Sequence, residues 1–157
     1  MAPNHKNTIT KFYTAFAKGD HQQMAACYHE DIIFEDPAFG QLKGERASKM
    51  WEMLLSNKSS SPEITHFNIT TDNNTGGVDW QAIYVYGPKK RKVQNKVHAI
   101  FKFQDGKIIE HLDSFDIWKW SRQALGPIGY LLGWTPFMKS SIQKQANQKL
   151  DQFITKR

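Results

Sequence analysis

Cysteine is almost missing: Cys27 is the only one in 157 residues. A single thiol excludes an internal disulfide framework and any zinc site built on paired cysteines, and it fits a reducing compartment. Long apolar runs are missing too. Nothing approaches the roughly 18 consecutive apolar residues of a membrane-spanning helix. The opening Met-Ala-Pro-Asn-His-Lys lacks the apolar stretch of a secretory signal, so a cytoplasmic location is expected. Acidic residues are the minority, with 15 Asp and Glu against 21 Lys and Arg and a net charge of +6. Such an excess can serve nucleic acid or an anionic membrane. No helix-turn-helix, zinc-finger spacing or RNA-recognition signature accompanies it, however. Lys89, Lys90, Arg91 and Lys92 follow the turn signal Gly87-Pro88 and read as a solvated hairpin tip. Neither nucleic acid nor a membrane is expected as a partner.

What is present is a globular balance rich in rings. Aromatic residues make up 13%, too many for a disordered chain, and the length suffices for one core without a covalent staple. Ile9, Phe12, Tyr13 and Phe16 fall at i, i+3, i+4 and i+7, an amphipathic helix that Gly19 ends. Asp20, with Gln23 three residues on, starts a second short helix burying Met24, Cys27 and Tyr28. Ile32-Ile33-Phe34 reads as a short strand running into Glu35-Asp36-Pro37, and Gly40 and Gly44 mark a loop. A third helix carries Ala47, Met50, Trp51, Leu54 and Leu55 on one face. The serines at 59–61 with Pro62 form a linker. Strands are then expected near 63–72, 78–87, 92–104 and 107–118, the last two joined by the hairpin signal Asp105-Gly106. Helices followed by an antiparallel meander make an α+β protein. Residues 126–138 are apolar but carry three glycines and two prolines, which excludes a regular helix there. Met138, Ile142, Ala146, Leu150 and Phe153 mark a final amphipathic helix.

Asp36 is the first candidate for chemistry. Alternation places Ile32, Phe34 and Asp36 on one face of their strand. If Phe34 is inside, Asp36 is a desolvated carboxyl with a raised pKa, suited to acid–base work. Capping the turn before Pro37 is the plain alternative. His111 and Asp113 are the second candidate. A two-residue loop at Asp105-Gly106 would set His98 opposite Asp113. A three-residue loop with a glycine bulge sets Val97 opposite Asp113 and Ala99 opposite His111. The bulged register is preferred, because it gathers Val97, Ala99 and Phe101 with Ile109, His111, Asp113 and Phe115 on one mostly apolar face and leaves His98 at the surface. An inward histidine beside a carboxylate suits proton transfer; a buried pair that only fixes the fold is the alternative. No metal site is expected, since the mixed ligands match no zinc spacing. Trp51, Trp80, Tyr84 and Tyr86 fall on faces able to line one cavity for a flat or apolar molecule.

The run Phe12-Tyr13, Lys18-Gly19-Asp20, Tyr28-His29-Glu30-Asp31, Phe34-Glu35-Asp36-Pro37, Gly40 and Gly44 resembles the nuclear transport factor 2-like superfamily, in the branch of SnoaL-like polyketide cyclases and ketosteroid isomerases. The ending Phe103, Asp105-Gly106-Lys107-Ile108 and Glu110-His111-Leu112-Asp113 is similar to the same branch. The resemblance implies a cone-shaped curved antiparallel sheet wrapped on N-terminal helices, a cystatin-like α+β barrel, with an apolar pocket and a homodimer through the sheet. The SnoaL-like domain would span 1–125. Residues 126–157 would add an apolar segment and an extra C-terminal helix on the same domain. By resemblance, Asp36 matches the isomerase base, while the oxyanion tyrosine and the protonated aspartate of those enzymes fall at Phe12 and Ala99. Asp113 matches the cyclase acid–base residue. The expected site is therefore Asp36, His111 and Asp113, with Phe12, Phe34, Trp51, Trp80, Tyr84, Val97, Ala99, Phe101 and Phe115 around a small apolar or aromatic molecule, and no cofactor. The implied activity is that of an isomerase, cyclase, dehydratase or hydrolase. A non-catalytic ligand-binding or dimeric interaction module of the same fold is the alternative.

Overall fold

The computed structural model describes residues 4–56 and 62–156; the serine linker at 59–61 lies outside the described residues. Helix α1 (His5–Lys18) opens on Asn4, whose side chain accepts a hydrogen bond from the Asn7 amide, and closes on Gly19 in the left-handed region at φ 72°. Its apolar stripe of Ile9, Phe12, Tyr13 and Phe16 is buried as the spacing requires. Helix α2 (His21–Ala26) is capped by Asp20, which accepts from the Gln23 amide. Tyr28 already begins strand β1 (Tyr28–Asp36), which is three times the length of the apolar run that announced it. Strand β2 (Gly40–Lys43) forms where the two glycines suggested only a loop, because β1 folds back on itself with Asp36 opposite Gly40. On helix α3 (Glu45–Leu54), Ala47, Met50 and Trp51 are buried. Leu54 shares their stripe but stays 45% exposed, at the rim of a cavity it helps to line.

Strands β3 (Glu63–Thr71), β4 (Thr75–Tyr86), β5 (Arg91–Gln104) and β6 (Lys107–Ser114) form the expected antiparallel meander. The six strands make one curved, unclosed sheet in the order β2-β1-β6-β5-β4-β3. It is mixed rather than wholly antiparallel, since β1 pairs with β6 in parallel. That pairing is open to β1 because the whole meander lies between the two strands in sequence. Along β5 the inward residues Val93, Val97, Ala99, Phe101 and Phe103 are buried between exposed or half-exposed neighbours that are polar except for Ile100.

The β5–β6 register differs from both expected ones. Asp105 and Gly106 form a two-residue turn, both at positive φ, so Gln104 faces Lys107 and Phe103 faces Ile108. A bulge one residue later skips Ile109, after which Phe101 faces His111 and Ala99 faces Asp113. Ile108 therefore points into the core and Ile109 does not, the reverse of the expected placing. The irregularity sits in the strand rather than in the turn, as bulges do where a side chain is re-aimed.

The chain beyond β6 holds the larger corrections. The last strand ends at Ser114, and Asp116 caps a helix, α4 (Ile117–Leu125), by accepting from the Lys119 amide. Helix α5 (Pro127–Leu132) is regular despite its composition. Its proline occupies the first helical position, where no amide donor is needed. Gly129 is the point of contact with α4, and a Cβ there would collide with the Ser121 carbonyl oxygen. Helix α6 (Pro136–Thr155) starts on a Thr135 cap and returns across α3. Arg46 donates to Asp151 at 2.7 Å and to Asn147 Oδ1 at 2.8 Å, and Leu150 is fully buried in the main core. Among the described residues no helix is long and apolar enough to cross a membrane.

Candidate functional site

Asp36 stands at the end of β1, two residues beyond the buried Phe34. Its Oδ1 accepts from the Ala38 amide at 2.9 Å and the Phe39 amide at 2.6 Å. The two readings of this residue thus coexist: it caps the turn, and it faces inward. Burial pushes its pKa up to about 7; the Phe39 and Ala38 amides pull the other way, and the charge of Asp113 adds to the rise.

His111 and Asp113 are both buried, with His111 Nε2 2.9 Å from Asp113 Oδ1. Around them runs a chain whose two ends are fixed by indole donors, with the imidazole read in its neutral form between them. Trp51 Nε1, which can only donate, donates to the Tyr28 hydroxyl at 2.9 Å. The tyrosine proton then goes to His111 Nδ1 at 2.8 Å. A neutral His111 accepting at Nδ1 carries its proton on Nε2, which faces Asp113 Oδ1 as a donor. Trp80 Nε1 donates to the same oxygen at 3.2 Å. The Phe12, Phe34 and Phe101 rings pack round the imidazole with centroids at 5.5, 5.0 and 4.7 Å. Three core rings and one tyrosine therefore hold the histidine in a single orientation.

Asp36 and Asp113 meet at one cavity of about 570 Å³. Its wall is mainly apolar, and of the residues expected there Trp51, Trp80, Tyr84 and Phe115 take part, together with Tyr86. Phe12, Phe34, Val97, Ala99 and Phe101 are buried in the core without reaching that wall, and His111 lies behind Asp113 rather than at the surface of the cavity. His98 is exposed and pairs with Asp79 at 2.7 Å.

Two contributions escaped the sequence reading. One is the Tyr28 hydroxyl; the signal was a buried tyrosine, which must find a partner for its hydroxyl. The other is the tail. Trp120, Ile128, Met138 and Ile142 complete the wall, and Trp120 Nε1 donates to the Tyr84 hydroxyl at 2.7 Å. No periodicity in a glycine- and proline-broken stretch places those residues. At Phe12, where the resemblance sets a tyrosine, the hydroxyl is missing. The neighbouring Tyr13 is also fully buried, its hydroxyl without a hydrogen-bond partner among the described residues. Burial, and then the charge of Asp113, holds the Tyr13 pKa well above its usual value, so it stays neutral. Among the described residues no three His, Cys, Asp or Glu side chains are grouped to hold a metal ion.

A curved, unclosed six-stranded sheet preceded by N-terminal helices defines an α+β protein of the nuclear transport factor 2-like superfamily. The family model described as a SnoaL-like domain matches residues 9–111, and the chain belongs to that family. Solved structures show the same fold. An LEH-like epoxide hydrolase of M. tuberculosis shares 21% identity at a TM-score of 0.64, covering 80% of this chain and 92% of its own. A polyketide cyclase assignment from Xanthomonas campestris pv. campestris belongs to a structure with 20% identity and a TM-score of 0.64, covering 75% and 94%. TerC, crystallised with polyporic acid, shares 14% identity at a TM-score of 0.59, covering 70% and 89%. No curated protein sequence matches the chain.

Proposed function

We propose that the protein is a cofactor-independent acid–base catalyst acting on a small apolar molecule that carries one reactive oxygen. The observation that carries this reading is that two inward carboxyl groups, Asp36 and Asp113, line one largely apolar cavity. Two like carboxylates in a largely apolar site do not both ionise readily, so their environments separate an acid from a base. Asp113, which receives the Trp80 and His111 donors on Oδ1, acts as the base through Oδ2. Asp36, with its pKa near 7, acts as the acid. This assignment differs from the expectation that Asp36 takes the proton, and the donor direction of the Tyr28–His111 chain is the reason.

In a turnover, Asp113 removes a proton either from carbon next to a carbonyl or from water attacking an epoxide carbon. Asp36 gives its proton to the oxygen on which charge develops. The proton gained by Asp113 is lost and that of Asp36 regained before the next cycle. The names of the epoxide hydrolase and cyclase neighbours agree with chemistry of this class.

The test is a panel of cyclic epoxides, assayed for diol, and of enolisable cyclic ketones, assayed for deuterium uptake from D2O. Turnover should fall by roughly a hundredfold or more in Asp36→Asn and in Asp113→Asn. For the wild type, kcat/KM should decline as pH rises through about 7, where Asp36 loses the proton it donates. Tight binding of these compounds without product would establish a binding module instead, and turnover unchanged in both variants would remove Asp36 and Asp113 from the chemistry.

A further inference from the structure

The tail carries a surface that the acid–base reading does not use. Helix α5 packs on α4 through Gly129, its only buried residue. Its large side chains therefore turn outward. Ile128, Tyr130, Leu131 and Leu132 are 45–69% exposed, and Trp134 in the following turn and Phe137 at the start of α6 are 66% and 77% exposed. This patch is apolar because close packing is done by a glycine, and a monomer gains nothing from it.

Basic side chains stand beside the patch along the groove that Tyr130 joins. Between Asp116 and Asp151 the sequence holds five Lys and Arg and no further Asp or Glu. The exposed hairpin tip with Lys89, Lys90, Arg91 and Lys92 docks against the same corner. Arg91 Nε donates to the Gln123 carbonyl at 2.7 Å, and Arg91 packs against Gly126. Arg91, Lys92, Lys119 and Arg122 together with Tyr130 line a shallow groove. Arg122 lies over the Trp118 ring at 4.4 Å, and the Trp118 indole in turn donates to the Tyr130 carbonyl. The basic groove and the apolar ridge thus share Tyr130 and form one continuous surface.

We propose that this surface docks on a membrane rich in anionic phospholipid, with the basic groove taking the headgroup phosphates and Ile128, Leu131, Trp134 and Phe137 entering the acyl boundary. Charge complementarity selects this occupant. A two-fold contact with a second copy would set basic rim against basic rim. A nucleic acid would use the lysines and Trp134 but leave the exposed aliphatic side chains in water. Interfacial binding of this kind needs both apolar insertion and electrostatic attraction. Ile128 also lines the cavity, so docking would bring the cavity rim to the lipid. The docking itself rests on the surface alone and stands whether or not the site is catalytic. It also reverses the expectation from charge and motif alone that no membrane is engaged, because the structure shows which groups stand beside the charge.

The experiment is sedimentation of the full chain with vesicles of phosphatidylcholine, with and without one third phosphatidylglycerol, at low and high salt. Binding is expected to the anionic vesicles, weakened by salt, with tryptophan quenching by brominated acyl chains. The exposed-patch variant Leu131→Ser/Trp134→Ser/Phe137→Ser should keep its circular dichroism, lose the quenching and bind roughly tenfold or more weakly. The charge variant Lys89→Gln/Lys90→Gln/Lys92→Gln should lose affinity and salt dependence together. Four results overturn the proposal: no binding to the anionic vesicles, equal binding to neutral vesicles, undiminished vesicle binding by the patch variant, or a wild-type dimer that the patch variant dissolves. Binding to single-stranded RNA that ignores the patch variant, with no vesicle binding, would assign the basic groove to nucleic acid instead.

Discussion

At the scale of single residues, the site stores an ionisation cost. The Asp36 pKa is raised from 3.8 to about 7. A carboxyl raised on folding charges less readily in the fold than in the unfolded chain. The penalty is therefore small below pH 4, grows as pH rises, and is complete above pH 7, where it amounts to about 4 kcal/mol. Asp36→Asn keeps an oxygen to accept from the Ala38 and Phe39 amides and never ionises. It should be more stable than wild type at pH 8 by up to about 4 kcal/mol, and by less than about 1 kcal/mol at pH 4. Urea unfolding at the two pH values measures this, and an equal effect at both would show that Asp36 is not desolvated. Tyr28→Phe makes the complementary test. It strands the Trp51 indole N–H and His111 Nδ1 in the core, each costing about 1–3 kcal/mol. Nitrogen NMR of the imidazole should then show a mixture of tautomers where the wild type shows the Nε2-protonated form alone. A single unchanged tautomer would mean that Tyr28 does not orient the ring.

At the scale of elements, two glycine-dependent features govern the site's surroundings. The turn at Asp105-Gly106, with φ of 54° and 77°, together with the bulge at Ile109, aims His111 and Asp113 inward; a one-residue slip would send both to the outer face. Helix α5 depends on Gly129 in another way, as a place where no side chain fits against α4. Gly129→Ala should displace α5, break the Trp118–Tyr130 hydrogen bond, and cost about 1–3 kcal/mol. Hydrogen exchange should speed up across α4 and α5 while β5 and β6 keep their protection. Uniform loss of protection would show instead that the helix pair is integral to the global core.

At the scale of the whole molecule, α6 decides whether the tail is an appendage or a wall. Leu150 is wholly buried in the main cluster with Phe16, Trp51 and Phe39. Gln143 donates to the Pro37 carbonyl and Asn147 to the Phe39 carbonyl, binding α6 to the turn that holds Asp36. Leu150→Ala should therefore cost about 2–5 kcal/mol, as for a core leucine, read from the urea midpoint. A loss below about 1 kcal/mol would mark α6 as peripheral. The exposed Arg46–Asp151 pair should matter far less, because solvent screens it.

The α+β order, the stripe of α1, the antiparallel meander and the inward setting of Asp36, His111 and Asp113 were all legible in the sequence. Each follows from local periodicity, which holds along a regular element and slips by one residue at the β6 bulge. The α4 and α5 helices were not legible, because Asp116 capping and a glycine used for close approach have meaning only against a neighbouring surface. The same holds for the Trp51–Tyr28–His111–Asp113 chain, whose members lie up to 85 positions apart, and for the cavity wall contributed by the tail. Sequence by itself determined which side chains face inward where an element runs regular, as along α1 and β5, but not across the β6 bulge that turns Ile108 in and Ile109 out. Only the tertiary structure decided which of them touch, since long-range contacts depend on register, bulges and helix docking rather than on any pattern along the chain.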